Sequence, residues 1–426
     1  MSSPYKTFAY YTFGCKVNFA DTCTIARKLV DYGLSEVKID DYADMYIINT
    51  CSVTEKADKK AEKFITKIHK RSPKSKIIVT GCYAQLNSDK IYRIEGVSYV
   101  ISAKNKFDID KYINMNNDND SDDIDLVSEF NMSYSLNERI RSFVKIQDGC
   151  NYICSYCTIP KARGKSRSSR ISKTIESIEH IVNNGIHEIV LCGINVGDFG
   201  KDNSETLLDL LVEIEKIDKL RRYRISSIEP NLLNINIIKF ISRSKKALPH
   251  LHIPLQSGSD VILKSMKRRY SKNNYKELIE SIKTYLPDIC IGIDVIVGYP
   301  NESELLFNET YEFLKNIDVS YLHIFSYSDR EKAISSKMPS IVTNAQKIKR
   351  RKVLKRLSDE KYSNYINKNV NQVKEVLFEN YNDGILDGLT DNYIRVYAHG
   401  DNNMVNSIRK VKITENNLQT YGRIIN

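Results

Sequence analysis

Up to residue 325 this chain is punctuated by short runs of β-branched and aromatic residues, with helical periods between most of them. Strands separated by helix-length segments cannot pair as hairpins. They need crossovers, which give parallel sheets with helices packed on their faces. In such sheets the strands end along one edge, and ligands bind there. The first three runs, residues 8–15, 45–51 and 76–82, each finish on a cysteine, and helical patterns over 21–32 and 55–69 follow the first two. Cys15, Cys51 and Cys82 are therefore expected to converge at one sheet edge as a three-thiolate site. The plainer alternative is three cysteines buried in a sheet core, since free Cys is often buried. Cys23 lies on the first helical pattern and is expected to be structural.

A second trio is contiguous. Cys150, Cys154 and Cys157 stand in CNYICSYC, a CxxxCxxC spacing. Three thiolates this close can hold three irons of a [4Fe–4S] cube and leave the fourth open to a small ligand. A Zn site would want a second ligand pair nearby, and none follows. A disulfide framework belongs to small secreted chains, whereas this chain has 426 residues and opens without an apolar signal segment. No apolar run approaches the ~18–20 residues of a membrane span. A cytoplasmic protein is expected, in which nine cysteines serve metal or catalytic chemistry. The stretch and its flanks resemble the radical S-adenosylmethionine (SAM) enzymes. That resemblance implies that the open iron chelates SAM, and that one electron from the cluster cleaves it to a 5′-deoxyadenosyl radical. It makes Cys150, Cys154 and Cys157 the catalytic and metal-binding set.

Six further strand-like runs, at 143–147, 188–193, 222–228, 248–255, 289–297 and 321–325, alternate with helical patterns such as 175–184, 205–217 and 303–314. They are too few for an eight-unit barrel, which takes ~250 residues. An open (β/α)6 partial TIM barrel fits, and it is the fold the resemblance implies. Barrel chemistry sits at strand C-termini. Gly193 and Asn195, Glu229, Gln256 and Asp294 lie at or near those ends. A glycine lets backbone approach a ligand. Glu229 and Gln256 suit ribose hydroxyls or the methionyl ammonium of SAM, and Asp294 suits either that role or tying strands together. Cys192 is expected to pack in the core.

The net charge of +11 is consistent with a polyanionic partner. Lys161, Arg163, Lys165 and Arg167 follow the CxxxCxxC loop closely. At a barrel mouth they would bind phosphates or the carboxylate of a modified nucleoside. Seven of the ten residues 347–356 are basic, on a helical pattern with a narrow apolar face that suits an RNA backbone. Residues 116–138 hold seven acids and no Lys or Arg, and read as an exposed linker. Beyond residue 362, alternating segments at 372–378, 393–398 and 407–413, punctuated by Gly384, Gly388 and Gly400, indicate a small antiparallel barrel. It resembles the TRAM domain, an RNA-binding module. Seven Lys/Arg balance seven Asp/Glu over 363–426, so affinity there would rest on charge placement, as at Arg395, and on exposed Tyr393 and Tyr397 stacking on bases.

Three N-terminal motifs, GCKVN at 14–18, NTCSVTEKAD at 49–58 and TGC at 80–82, resemble the methylthiotransferases. In that family Cys15, Cys51 and Cys82 would hold an auxiliary [4Fe–4S] cluster used in sulfur donation. With KIQDGC at 145–150 and RGKSRS at 163–168 they resemble the branch acting on N6-threonylcarbamoyladenosine next to the tRNA anticodon. The resemblance implies a methylthio group placed on C2 of that base. It also implies two [4Fe–4S] clusters, SAM, a tRNA anticodon stem-loop, a flavodoxin- or ferredoxin-like electron donor and a sulfur source, with no membrane. The implied architecture is α/β throughout the first two domains. A Rossmann-like N-terminal domain spans 1–112, an acidic linker 113–138, a radical SAM domain 139–361 and a TRAM barrel 362–426. One departure is SDREKAI at 328–334, where the family more often has Gly-Thr after the arginine.

Overall fold

The structure, a computed structural model, describes residues 5–113, 118–119, 124, 127–136, 138–416 and 419–425. Its N-terminal part is a six-stranded parallel sheet, in the order Ser35–Glu36, Thr7–Thr12, Met45–Thr50, Lys76–Gly81, Val97–Val100 and Asp118–Asn119. Met45–Thr50 is buried at every position, as befits an inner strand covered on both faces. Thr12 pairs with Asn49 and Asn49 with Thr80, so three chains leave the sheet at one level. The helix Lys16–Asp31 starts on Cys15 as its N-cap. The helix Glu55–Arg71 is capped by Thr54, which accepts from the Ala57 N–H.

Six parallel strands follow in sequence order: Arg141–Lys145, Glu188–Cys192, Arg222–Ile225, His250–His252, Cys290–Val297 and Tyr321–Ser326. The first three form one ladder and the last three another, and the bridges Tyr223↔Ala247 and Ser227↔His252 join them. Among the described residues the first and sixth strands do not pair, so the barrel is open. Side chains alternate along each strand. Ile189, Leu191, Tyr223, Ile225, Leu251, Ile291 and Ile293 face the helices and make the large core. Near the open side, Val17 and Ala20 of the helix Lys16–Asp31 pack on Phe143, Val190 and Cys192. The N-terminal unit thus covers part of the barrel lumen with its first helix.

The acidic segment is more than a connection. Asp118–Asn119 adds an edge strand to the N-terminal sheet, and Ser133–Tyr134 pairs antiparallel with the first barrel strand. Its most acidic stretch, 120–123, lies outside the described residues. The basic helix runs Asn344–Asn367 and buries Leu354, Leu357 and Arg350. Arg350 is ion-paired with Glu302 at 2.7 Å, while Arg351, Lys352, Lys355 and Arg356 line an outer groove.

The C-terminal residues close into a five-stranded barrel of Val373–Asn382, Ile385–Thr390, Arg395–His399, Thr420–Ile424 and Ile408–Asn416. Sequence alternation missed Ile385–Thr390 because Gly388 reads as a break. It lies inside the strand, where a Cβ would meet the Leu377 carbonyl at 2.2 Å. Two buried arginines dock this barrel. Arg222 donates to the carbonyls of Glu375 and Leu389, and Arg224 to those of Thr390 and Asp391. Both also donate from Nε to Glu188, at 2.6 and 2.7 Å. Replacing Glu188 by Ala would leave two buried guanidinium groups facing each other. It should cost about 3–5 kcal/mol of stability. Denaturant unfolding checks the loss, and limited proteolysis should cut earlier before Val373.

Candidate metal centres and their surroundings

Cys15, Cys51 and Cys82 do converge at the C-terminal edge of the N-terminal sheet. Gly14 has φ +103°, and a Cβ there would lie 2.8 Å from the Cys51 sulfur. Gly81 has φ +99°, and a Cβ would overlap Asn49 and the Thr50 backbone. Both glycines admit turns that no side chain would allow. Burial pushes the Cys51 thiol up to about 12, with Cys82 and Cys15 adding to the rise, and burial raises Cys82 as well. Such thiols shed their protons when a metal takes them.

The second trio lies on the loop between the short strands Gln147–Asp148 and Arg167–Ser168, above the first barrel strand. The loop is pinned from several sides. Cys150 N–H donates to Gly164 O at 3.1 Å, and Ser155 N–H to Met266 O at 3.2 Å. The Ser155 hydroxyl sits 2.8 Å from the Tyr299 hydroxyl. Each sulfur accepts one N–H: Cys150 from Tyr152 at 3.4 Å, Cys157 from Ile159 at 3.4 Å, and Cys154 from Arg268 at 3.2 Å. N–H···S bonds of this kind set cluster potentials. Burial pushes the Cys150 thiol up to about 11 and that of Cys157 up to about 12. Among the described residues no three His, Cys, Asp or Glu side chains group as the ligands of a single ion.

The strand-end residues fare unevenly. Gly193 backs onto Gln147, which a Cβ would touch at 2.9 Å. Asn195 donates its backbone N–H to Gln147 at 2.8 Å and its side-chain amide to Asp198 at 3.0 Å. Glu229 is clasped by Arg268, and Asp294 bonds His252 Nε2 at 2.9 Å. Gln256 keeps the strongest mark of a ligand site. It is buried with φ +72°, and its Oε1 has no partner among the described residues. A strained, non-glycine backbone with an orphaned acceptor fits a bound group that supplies a donor.

The basic loop is divided: two of its four expected phosphate-binding cations, Arg163 and Arg167, turn inward. Arg163 is 3% exposed. It donates to Asp148 at 2.7 Å, to Asn18, and through Nε to the Cys82 sulfur at 3.3 Å. Arg167 is also buried, bonded to the carbonyls of Glu129, Arg163 and Lys165. Guanidinium donors in this number satisfy buried carbonyls and carboxylates better than phosphates outside. Lys161 reaches Lys332 O at 2.8 Å from an exposed position, and Lys165 is exposed. Tyr393 is no free stacking platform either. It is partly buried, with its ring stacked 3.9 Å from that of His250 and the Arg224 guanidinium 5.1 Å from its centroid. Arg395 is held by Glu379 at 2.9 Å and by Asp387.

Sequence reasoning missed Arg268 and the buried charges Asp21, Lys106, Lys145 and Asp148. Asp21 accepts from Lys106 at 2.6 Å and Lys145 at 2.7 Å, and Arg163 lies 3.4 Å away. Cations outnumber carboxylates in this cluster, and the excess borders Cys82. A buried positive excess is costly unless an anion meets it. Thiolates around a cluster provide that anion, so the surroundings fit the group.

Residues 7–102 match a family model described as uncharacterized protein family UPF0004, and residues 144–314 match the radical SAM superfamily. The chain is 35% identical over 399 residues to the threonylcarbamoyladenosine tRNA methylthiotransferase MtaB of Aquifex aeolicus, covering 92% of this chain and 96% of that one. It is 31% identical over 421 residues to the tRNA-2-methylthio-N(6)-dimethylallyladenosine synthase of Protochlamydia amoebophila, covering 96% and 94%. Its fold is similar to that of TsrM from Kitasatospora setae, a radical S-adenosylmethionine methyltransferase. That match has a TM-score of 0.58 at 10% identity and covers 75% of this chain and 73% of that one.

The ion cluster carries its own test. Burial would raise the Asp21 carboxyl, but Lys106, Lys145 and Arg163 outweigh it and hold the group down to about 2. A folded value below the unfolded ~3.9 means stability that is complete above about pH 4 and lost as pH falls through about 2. Denaturant unfolding from about pH 5 to 2 should show this acid limb, and Asp21→Asn should flatten it.

Proposed function

The chain belongs to the radical SAM methylthiotransferases, and from that premise we propose that it places a methylthio group on C2 of N6-threonylcarbamoyladenosine at position 37 of tRNA. The observation that carries the reading is the nearness of two cysteine trios. The helix Ile159–Arg163 begins two residues after Cys157 and ends on Arg163, whose guanidinium touches the Cys82 sulfur. Ile159 and Ala162 of that helix pack on Cys82 and Leu86. At 1.5 Å per residue the helix spans about 7–8 Å. One substrate base can therefore meet both trios.

Cys150, Cys154 and Cys157 would hold one [4Fe–4S] cluster, and Cys15, Cys51 and Cys82 the other. SAM would be held at the barrel mouth, where Gln256 offers an acceptor with no partner among the described residues. Glu229 and Arg268 fix the flank of Cys154, and the helix Lys16–Asp31 helps to shield the lumen from water. When bound, a reduced cluster with SAM supplies the one-electron chemistry that an aromatic C–H bond demands and acid–base side chains cannot. The substrate is presented on a tRNA anticodon stem-loop. A flavodoxin- or ferredoxin-type donor supplies electrons, and a separate source renews the sulfur. Among the described residues no helix is long and apolar enough to cross a membrane.

Nucleoside mass spectrometry of tRNA from cells lacking the gene, and from the same cells with it restored, tests the substrate. Methylthiolated threonylcarbamoyladenosine should vanish and return. Loss of the isopentenyl analogue instead would move the chain to the other branch. In purified, reconstituted protein, Cys150→Ala should reduce 5′-deoxyadenosine formation to the level without enzyme. Cys51→Ala should retain SAM cleavage yet form no methylthio product. SAM cleavage near the wild-type rate in Cys150→Ala would sink the assignment of that trio.

A further inference from the structure

Arg163 and Arg167 are buried, so neither guanidinium of the basic loop is free to fork the substrate's own carboxylate. The threonylcarbamoyl group differs from an isopentenyl group above all in carrying a carboxylate. Inside the barrel lies a cavity of about 100 Å³, lined by Lys16, Arg224, Ser226, His250, His252 and His323 among others. It is too small for a nucleoside, since sites for drug-sized ligands run to roughly 300–1,000 Å³. It suits a substituent of a few atoms. No acid lines it among the described residues. Two carboxylates touch lining residues from outside it, Asp294 bonded to His252 at 2.9 Å and Glu188 to Arg224 at 2.7 Å.

The cations there are not equivalent. Arg224 is committed to Glu188 and to the carbonyls of Thr390 and Asp391, and Arg141, which also lines the cavity, to Glu379 at 2.6 Å. Lys16 is exposed and makes no ion pair among the described residues. It follows Cys15 directly and begins the helix that packs over the lumen. It lines the same cavity as His250 and His323. His250 is buried, with Nε2 bonded to Tyr321 at 2.9 Å and Nδ1 unpartnered among the described residues. An ammonium with an imidazole beside it, in a cavity without acids, is a carboxylate site.

We propose that Lys16, reaching from the N-terminal sheet into the barrel lumen, binds the carboxylate of the threonylcarbamoyl substituent, with His250 and His323 completing the subsite. This assignment rests on the substrate reading above. It makes Lys16 a specificity residue next to a cluster ligand. The purine's N6 side is read from within the barrel while C2 faces the two trios.

The test uses reconstituted holoenzyme and three anticodon hairpins, bearing threonylcarbamoyladenosine, its threoninamide analogue or adenosine. Fluorescence anisotropy gives affinity and nucleoside mass spectrometry gives product. A charge-assisted contact is worth roughly tenfold or more in affinity. Wild type should prefer the carboxylate hairpin over the amide by about that factor. Lys16→Met should weaken the carboxylate hairpin by the same factor and leave the amide unmoved, so the preference collapses. Lys16→Arg should recover part of it. A Lys16→Met variant that weakens all three hairpins alike, or that keeps the preference, overturns the proposal. Iron content and melting temperature report whether the variant is loaded and folded. If it is not, His323→Gln is read by the same ratio. Product on the carboxylate hairpin with wild type upholds the substrate reading even where the Lys16 prediction fails. No product on that hairpin with loaded wild-type enzyme removes both.

Discussion

A buried cluster of charge holds this molecule in its working shape. Asp21 from the N-terminal helix and Asp148 from the edge of the barrel share Lys145 and Arg163, at 2.7 Å for the closest contact of each carboxylate with that pair. Neither unit provides the whole set. Lys106 and Asp21 belong to the sheet, whereas Lys145, Asp148, Arg163 and Arg167 belong to the barrel and its loop. Separating the units would strand several ions in a low-dielectric interior, a much larger cost than any surface pair represents. The relative placement of the two cysteine trios is therefore fixed by electrostatics as well as by packing.

Rigidity of this kind matters for the chemistry. A reactive carbon-centred radical must meet one C–H bond and no other, so the reacting groups have to be held before the reaction starts. The Cys150 loop is fastened to Met266, Arg268, Tyr299 and Ser335, and Arg163 at its far end touches Cys82. The C-terminal barrel is attached by the same physical device. Glu188 holds Arg222 and Arg224, whose remaining donors satisfy four carbonyls of that barrel. Arginine serves at both junctions because its planar fork can bond a carboxylate and several carbonyls at once.

The net positive charge turns out to be divided between two uses. Part of it, in Arg163, Arg167, Arg222, Arg224 and Arg350, is internal and bonded to specific carboxylates and carbonyls. The remainder stays outside, on Lys161, Lys165 and the outer face of the helix Asn344–Asn367, where it is available to a polyanion. A count of basic residues near a motif does not separate these uses, because burial depends on partners that lie far away in the chain.

Read alone, the sequence determined the alternation of strand and helix, the open six-unit barrel, and the two sets of three cysteines. These follow from local rules: side-chain period, turn glycines, and cysteine spacing on a single loop or at successive strand ends. Even the convergence of Cys15, Cys51 and Cys82 was legible, because a parallel sheet brings its strand ends to one edge. Tertiary structure alone decided what the charged residues do. Arg163 looks like one more cation in a solvated loop until Asp148, Asn18 and Cys82 close around it. Arg268 leaves no mark in a run of basic residues, yet it joins Glu229 to Cys154. Tyr393 reads as an exposed ring and instead stacks on His250. The physical reason is common to all three. Periodicity is a property of neighbours along the chain, whereas the fate of a charge or ring depends on which distant groups reach it and on how much water remains.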